Sequence, residues 1–113
     1  MRPLHGFMYL ADLNPRYGSE AGKVRPVLVI QTNHLNEANH LSTWILPCTT
    51  RLTGESIIRV FLPKKAAGNE QDCEIMIDQN RSIDNSRIKK ELGPMPSLIL
   101  KEIKEKLKLL GEL

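Results

Sequence analysis

The chain has 113 residues, 41% hydrophobic, 26% charged and only 4% aromatic, with seven Gly and seven Pro. That length carries one modest core, so residues 1–113 read as a single domain, and the composition excludes disordered, collagen-like and coiled-coil chains. Sixteen Lys and Arg against thirteen Asp and Glu give a charge of +3, which permits an anionic partner without requiring one, while so few aromatics exclude a base-stacking surface of several rings.

Residues 7–13 mix aromatic and apolar side chains and stop at Asn14-Pro15, a turn dipeptide that biases the preceding backbone to extended geometry, so they read as a first strand. Residues 16–23 are polar, contain Gly18 and Gly22 and show neither period, which predicts a mobile surface loop. Arg25-Pro26 then enters Val27-Leu28-Val29-Ile30, a branched run suited to a strand buried on both faces. Residues 33–40 support a helical turn. Residues 44–47 read as a third strand leading into Cys48-Thr49-Thr50-Arg51, residues 56–62 as a fourth and residues 73–78 as a fifth. Residues 79–92 predict a short turn and one more strand.

The C-terminal segment is the clearest helix. Leu100, Ile103, Leu107 and Leu110 recur at helical spacing, Ser97 stands where an N-terminal cap is wanted, Gly111 suits the C-terminal end, and Glu102 with Lys106 forms a favourable i,i+4 pair. The leucine stripe reads as core packing. Short strands, tight turns and one terminal helix predict a small, strongly bent antiparallel sheet or barrel with a helix on it.

No run approaches the roughly 18 apolar residues of a membrane span and no apolar signal core follows Met1, so the expectation is a cytoplasmic protein with no membrane partner. Cys48 and Cys73 are then expected as free thiols. There is no C-x-x-C, and His5, His34 and His40 lack ligand spacing, so neither a metal nor a cofactor is expected. Gly18 to Lys23 superficially resembles a phosphate loop, but it has three residues between its glycines instead of four, and Val24 follows the lysine where Ser or Thr is required.

Two polar clusters at strand ends remain, the 16–25 segment and Cys48-Thr49-Thr50-Arg51. If their strands are neighbours, a carboxylate, a guanidinium and a hydroxyl converge on one spot, with Arg25 able to hold a phosphate through two N–H groups and to stabilise charge added in a transition state. The plain alternatives are a surface charge at Arg25, strand-end threonines at Thr49 and Thr50, and a solvated acid at Glu20.

In order and spacing, Asp12-Leu13-Asn14-Pro15, Gly18-Ser19-Glu20, Gly22-Lys23-Val24-Arg25-Pro26-Val27, Pro47-Cys48-Thr49-Thr50 and Asp78-Gln79-Asn80-Arg81-Ser82-Ile83-Asp84 resemble the MazF/PemK/Kid toxins, with Ser86-Arg87-Ile88 continuing the likeness. The resemblance implies a mainly β, compact SH3-like barrel with a C-terminal α-helix, acting as a homodimer. It implies a metal-independent endoribonuclease that cuts single-stranded RNA, usually mRNA, at a short sequence, and a cognate antitoxin whose disordered tail covers the groove. On these motifs Arg25 and Thr49 are the catalytic pair, and Glu20 or water is the proton acceptor. Tyr17, Ser19, Lys23, Thr50 and Gln79 fall around the RNA. Arg81 and Arg87 either line its path or make ion pairs with Asp78 or Asp84. Trp44 and Cys48 read as packing. A non-catalytic toxin of the same barrel that poisons DNA gyrase, like the CcdB family, is the alternative, and the Arg25 and Thr49 pair favours the nuclease. A third reading is an inactive SH3-like binding module.

Overall fold

A computed structural model describes residues 1–113. In chain order the elements are β1 (Phe7–Asp12), β2 (Val24–Val29), α1 (Asn33–Glu37), β3 (Ser42–Thr49), β4 (Arg59–Leu62), β5 (Cys73–Met76), β6 (Arg81–Asp84), β7 (Ile88–Pro94) and α2 (Ser97–Gly111). Hydrogen-bonded neighbours run β4-β5-β3-β2-β1-β7, with β6 also on β3.

The longest strand, β3, organises this sheet. One edge pairs with β2, in the register Val27↔Pro47, Leu28↔Leu46 and Val29↔Ile45. Its other edge pairs first with β6, from Ser42↔Asp84 to Ile45↔Arg81, and then with β5, at Cys48↔Ile75 and Thr49↔Glu74. One strand with two partners in succession along the same edge forces the sheet to curl. The result is the expected mainly β, barrel-like fold, although the barrel is left open: β7 is bonded to β1 and β4 to β5, and the β4–β5 loop packs over the gap between them.

The branched run after Arg25 is buried on both faces, as its composition predicts. Leu28 and Ile30 join a core with Met8, Leu46, Cys48, Ile75 and Ile77, whereas Val27 and Val29 join a second core with Tyr9, Ala11, Leu13, Ile45 and Ile88. The two-residue alternation of a strand produces this division. Helix α2 closes the first core through fully buried Ile103, with Ile99, Leu100 and Leu107 beside it. Lys106 reaches both Glu102, at 3.0 Å, and the carbonyl of Arg59, at 3.0 Å, which fixes the helix on β4.

Several details of the sequence reading change. The fifth strand ends at Met76, where a 3₁₀ turn at Ile77–Gln79 takes over, and Leu110 of the helical stripe is exposed instead of packed. Residues 79–92 form two strands, because a 3₁₀ turn at Asn85–Arg87, capped by Asp84 accepting from the Ser86 N–H at 2.9 Å, divides them. The fourth strand starts at Arg59, and residues 56–58 bend away from it. Ser97 lies inside the first turn of α2 and caps nothing, since the carbonyl of Pro96 already accepts from the Leu100 N–H at 2.9 Å. At the other end Gly111 is still helical and Glu112 takes the left-handed conformation, with φ 54°, so the closing turn falls one residue later. Cys48 and Cys73 are both free and buried, and no helix is long and apolar enough to cross a membrane.

Candidate active site

The segment between β1 and β2 is fastened at many points, against the expectation of a mobile loop. The Leu13 N–H donates to the Lys23 carbonyl at 2.9 Å, and the Lys23 N–H donates to Oδ1 of Asn14 at 2.9 Å. Gly22 passes so close to Arg16 that a Cβ there would lie 2.7 Å from the Arg16 Cβ, so no larger residue fits without displacing the loop. Gln79 holds the loop from the far side, its Oε1 accepting from the Ala21 N–H at 3.2 Å, and Arg81 donates to the Ala21 carbonyl at 3.4 Å. Arg87 donates to the carbonyls of Asp12, at 3.1 Å, and Asn14. Neither arginine forms an ion pair with Asp78 or Asp84; both pin the loop by its backbone.

This framework sets Arg25 beside Thr49. The β2–β3 register, continued two residues past Val27↔Pro47, puts Arg25 across from Thr49. Arg25 Nε donates to the Gly22 carbonyl at 2.7 Å and Nη1 to the Cys48 carbonyl at 3.1 Å. A guanidinium has five N–H groups, so both on Nη2 and one on Nη1 stay available. Thr49 Oγ1 accepts from the Arg51 N–H at 3.1 Å, which leaves its own hydrogen free to donate. Burial lowers the Arg25 guanidinium from its ordinary value and the Arg16 cation lowers it further. It nevertheless stays charged at neutral pH. Burial pushes the Cys48 thiol well up, so it remains neutral and supplies no counter-charge.

Ser19, Glu20, Lys23, Arg25 and Gln79 line one cleft of about 460 Å³. Lys23, Arg25, Thr49 and Thr50 line an adjoining groove of about 370 Å³. Tyr17 stands 70% exposed at the loop tip. Arg81 and Arg87 support the loop from behind. Trp44 is half-buried against the first core, its Nε1 donating to Asn80 Oδ1 at 3.2 Å.

Three further cations, Arg16, Arg51 and Arg59, also reach the cleft, which sequence reasoning did not assign. Arg51 directly follows Cys48-Thr49-Thr50 and was legible from that position. Arg59 carries no local signal, because Glu74 on β5 directs it. That carboxylate, 4% exposed, accepts from Arg59 Nη1 at 3.2 Å, from the Thr53 N–H at 3.1 Å and from the Gly54 N–H at 3.0 Å. Burial alone would raise the Glu74 carboxyl, but the Gly54 and Thr53 N–H groups, the Thr53 hydroxyl and Arg59 outweigh it and hold it below the ordinary carboxylate value. Five cations thus face one carboxylate, Glu20, which is an environment for a polyanion.

A family model described as PemK-like, MazF-like toxin of type II toxin-antitoxin system matches residues 5–111. The chain is 33% identical over 100 residues to the endoribonuclease MazF of Staphylococcus saprophyticus, covering 87% of this chain and 82% of that protein. It superposes on crystalline MazF (Form-I) from Deinococcus radiodurans with a TM-score of 0.86 at 28% identity, over 100% of this chain and 99% of the other. The MazE-MazF structure (Form-II) from the same organism gives a TM-score of 0.80 at 28% identity, covering 100% and 98%. Toxin MazF-mt6 of Mycobacterium tuberculosis, at 18% identity and a TM-score of 0.78 over 95% and 97% of the two chains, shares the fold.

Proposed function

Because the chain belongs to the PemK-like, MazF-like toxins of type II toxin-antitoxin systems, we propose that it is an endoribonuclease that cuts single-stranded RNA at a short sequence in the Arg25 and Thr49 cleft, without a metal ion. The observation that carries this reading is a guanidinium with three N–H groups to offer, opposite a threonine hydroxyl with its hydrogen free.

The step follows from those groups. The ribose 2′-oxygen bonds to the adjacent phosphorus while the bond from phosphorus to the 5′-oxygen breaks, leaving a 2′,3′-cyclic phosphate and a 5′-hydroxyl. Arg25 holds a non-bridging oxygen and stabilises the extra charge of the pentacoordinate phosphorus, and Thr49 orients the phosphate. Glu20, or a water beside it, takes the 2′ proton; the departing 5′-oxygen takes one from Arg25, which solvent replaces. Histidine is not an alternative base. His5 bonds Ile30, about 17 Å from Arg25 at the strand rise per residue, and His34 in α1 and His40 after it also lie beyond that far end of β2. A cleft with five cations and one carboxylate repels a divalent metal, which supports metal-independent chemistry.

Tyr17, Ser19, Lys23, Thr50 and Gln79 position the strand, and Tyr17 is exposed enough to stack on a base. Arg81 and Arg87 act through the loop they pin. The proposed protein is a cytoplasmic homodimer. Its antitoxin lays an acidic, disordered tail along the cationic cleft, in keeping with the solved MazE-MazF assemblies.

The test is incubation with a long single-stranded RNA in excess EDTA, with fragment ends mapped, beside Arg25→Ala and Thr49→Ala. Discrete cuts ending in cyclic phosphate, lost in both variants, support the reading. Intact RNA with folded wild-type protein overturns it.

A further inference from the structure

The groove at Arg25 continues past Thr49. Val24, Pro26, Thr50 and Cys73 line both that groove and a second pocket, of about 330 Å³, on the side away from Gln79. One wall of this pocket is aliphatic: Leu10 of β1, Pro26 of β2 and Leu92 of β7. The facing wall is residues 68–71 of the β4–β5 loop.

That loop wall is rigidly built. Gly68 takes φ +82° and packs so closely that a Cβ would lie 2.3 Å from the Leu92 carbonyl oxygen. Asn69 is 2% exposed and its amide is fully engaged. Its Oδ1 accepts from the Ala67 N–H at 3.0 Å, and Nδ2 donates to the carbonyls of Pro63, at 3.0 Å, and Gln71, at 2.8 Å. With the backbone of the loop so fixed, Glu70 and Gln71 line the pocket with side chains that make no hydrogen bond or ion pair inside the protein, and Thr50 and Lys90 line it as well.

Aliphatic walls with uncommitted donors and acceptors at one edge are what an unstacked nucleobase requires. Its faces leave water against the hydrocarbon, and its edge exchanges solvent hydrogen bonds for those of amide and carboxylate groups. We propose that this pocket receives one nucleobase of the substrate, from a nucleotide adjoining the scissile phosphate, and that Glu70 and Gln71 read its edge. The inference rests on RNA cleavage at Arg25 and Thr49. It assigns a specificity site on the opposite side of the cut from Tyr17 and Gln79.

The experiment is cleavage of a random-sequence RNA pool by wild-type protein and by the double variant Glu70→Ala/Gln71→Ala, with both fragment ends sequenced. Both residues are solvent-exposed and outside the catalytic cleft, so folding is retained. The base preference at one position beside the cut flattens by about tenfold, the scale of a lost base-edge contact, while the other positions keep theirs. An abasic nucleotide at that position slows wild type by about tenfold or more and the variant by less, because the aliphatic wall remains in both and only the edge contacts differ. Unchanged preference at every position, or an abasic penalty equal in both proteins, overturns the proposal. So does weakened antitoxin binding with unchanged preference, which would give the pocket to an antitoxin side chain. Failure of wild type to cut any RNA is a separate outcome, because it removes the nuclease reading beneath this one.

Discussion

Arg25 hangs from the peptide that leads into Thr49: its Nη1 donates to the Cys48 carbonyl at 3.1 Å, while its Nε is anchored on Gly22 at 2.7 Å. Two of the guanidinium's hydrogen bonds therefore set its position against the hydroxyl and the rest face the cleft. A side chain with the same charge but another shape cannot do both.

Arg25→Lys is accordingly expected to lose most activity in a folded protein. An ammonium cannot span Gly22, Cys48 and a phosphate together, and removal of a preorganised donor to a developing oxyanion costs on the order of 10²–10³ in rate. Thr49→Ser keeps the hydroxyl and stays within about tenfold of wild type, whereas Thr49→Ala falls by about a hundredfold. Single-turnover cleavage with circular dichroism as the folding control measures both. An Arg25→Lys protein cutting at near wild-type rate sinks the guanidinium role.

Gln79→Ala tests whether the loop is held from across the cleft. Loss of the bond to the Ala21 N–H, worth about 1 kcal/mol, lets the Ser19-Glu20 segment spread. Substrate binding then weakens about fivefold, with a smaller effect on the chemical step. Equal losses in both would instead mean that Gln79 touches the reacting groups.

Glu74 should make stability sensitive to acid. Its folded carboxyl lies below the ordinary carboxylate value, so its contribution is present above about pH 4.3, the unfolded value, and is lost as pH falls through the lower folded value. Glu74→Ala leaves Arg59 without its anion and releases Thr53 and Gly54, at a cost of about 2 to 3 kcal/mol at pH 7. Urea midpoints measured from pH 3 to pH 7 check this: part of the wild-type decline at low pH disappears in the variant. Parallel curves would show that Glu74 is not the group titrating.

Much of this fold and site is legible in the sequence. The run after Arg25 and the Leu100, Ile103 and Leu107 stripe each carry their own period, so strand and helix followed from local sequence. The pairing of Arg25 with Thr49 was a conditional statement, true only if their strands were neighbours, and the register supplies the condition. What stayed hidden depends on partners distant in the chain. The seat of residues 81–84 follows from β6 pairing with β3, the place of Arg59 from Glu74, and the ordered loop after Asn14 from Gln79, Arg81 and Arg87. No window of sequence around those residues contains the other half of the interaction.

Gly54 in the β3–β4 loop and Gly68 in the β4–β5 loop give the sharpest contrast between two glycines. Gly54 and Gly68 share positive φ, +73° and +82°, but nothing lies within 4 Å of a Cβ at Gly54, whereas at Gly68 it would strike the Leu92 carbonyl. Gly54→Ala should thus cost only the left-handed backbone term, about 1 kcal/mol. Gly68→Ala adds a backbone clash that no rotamer relieves, so the loop must lift from β7 at a total cost of about 2 kcal/mol or more. Denaturant unfolding of the two variants measures the difference. Because residues 68–71 form one wall of the pocket beside Thr50, Gly68→Ala should also blur sequence preference beside the cut, while Gly54→Ala leaves that position unchanged. Equal destabilisation by the two substitutions would show that the loop is not packed on β7 as described.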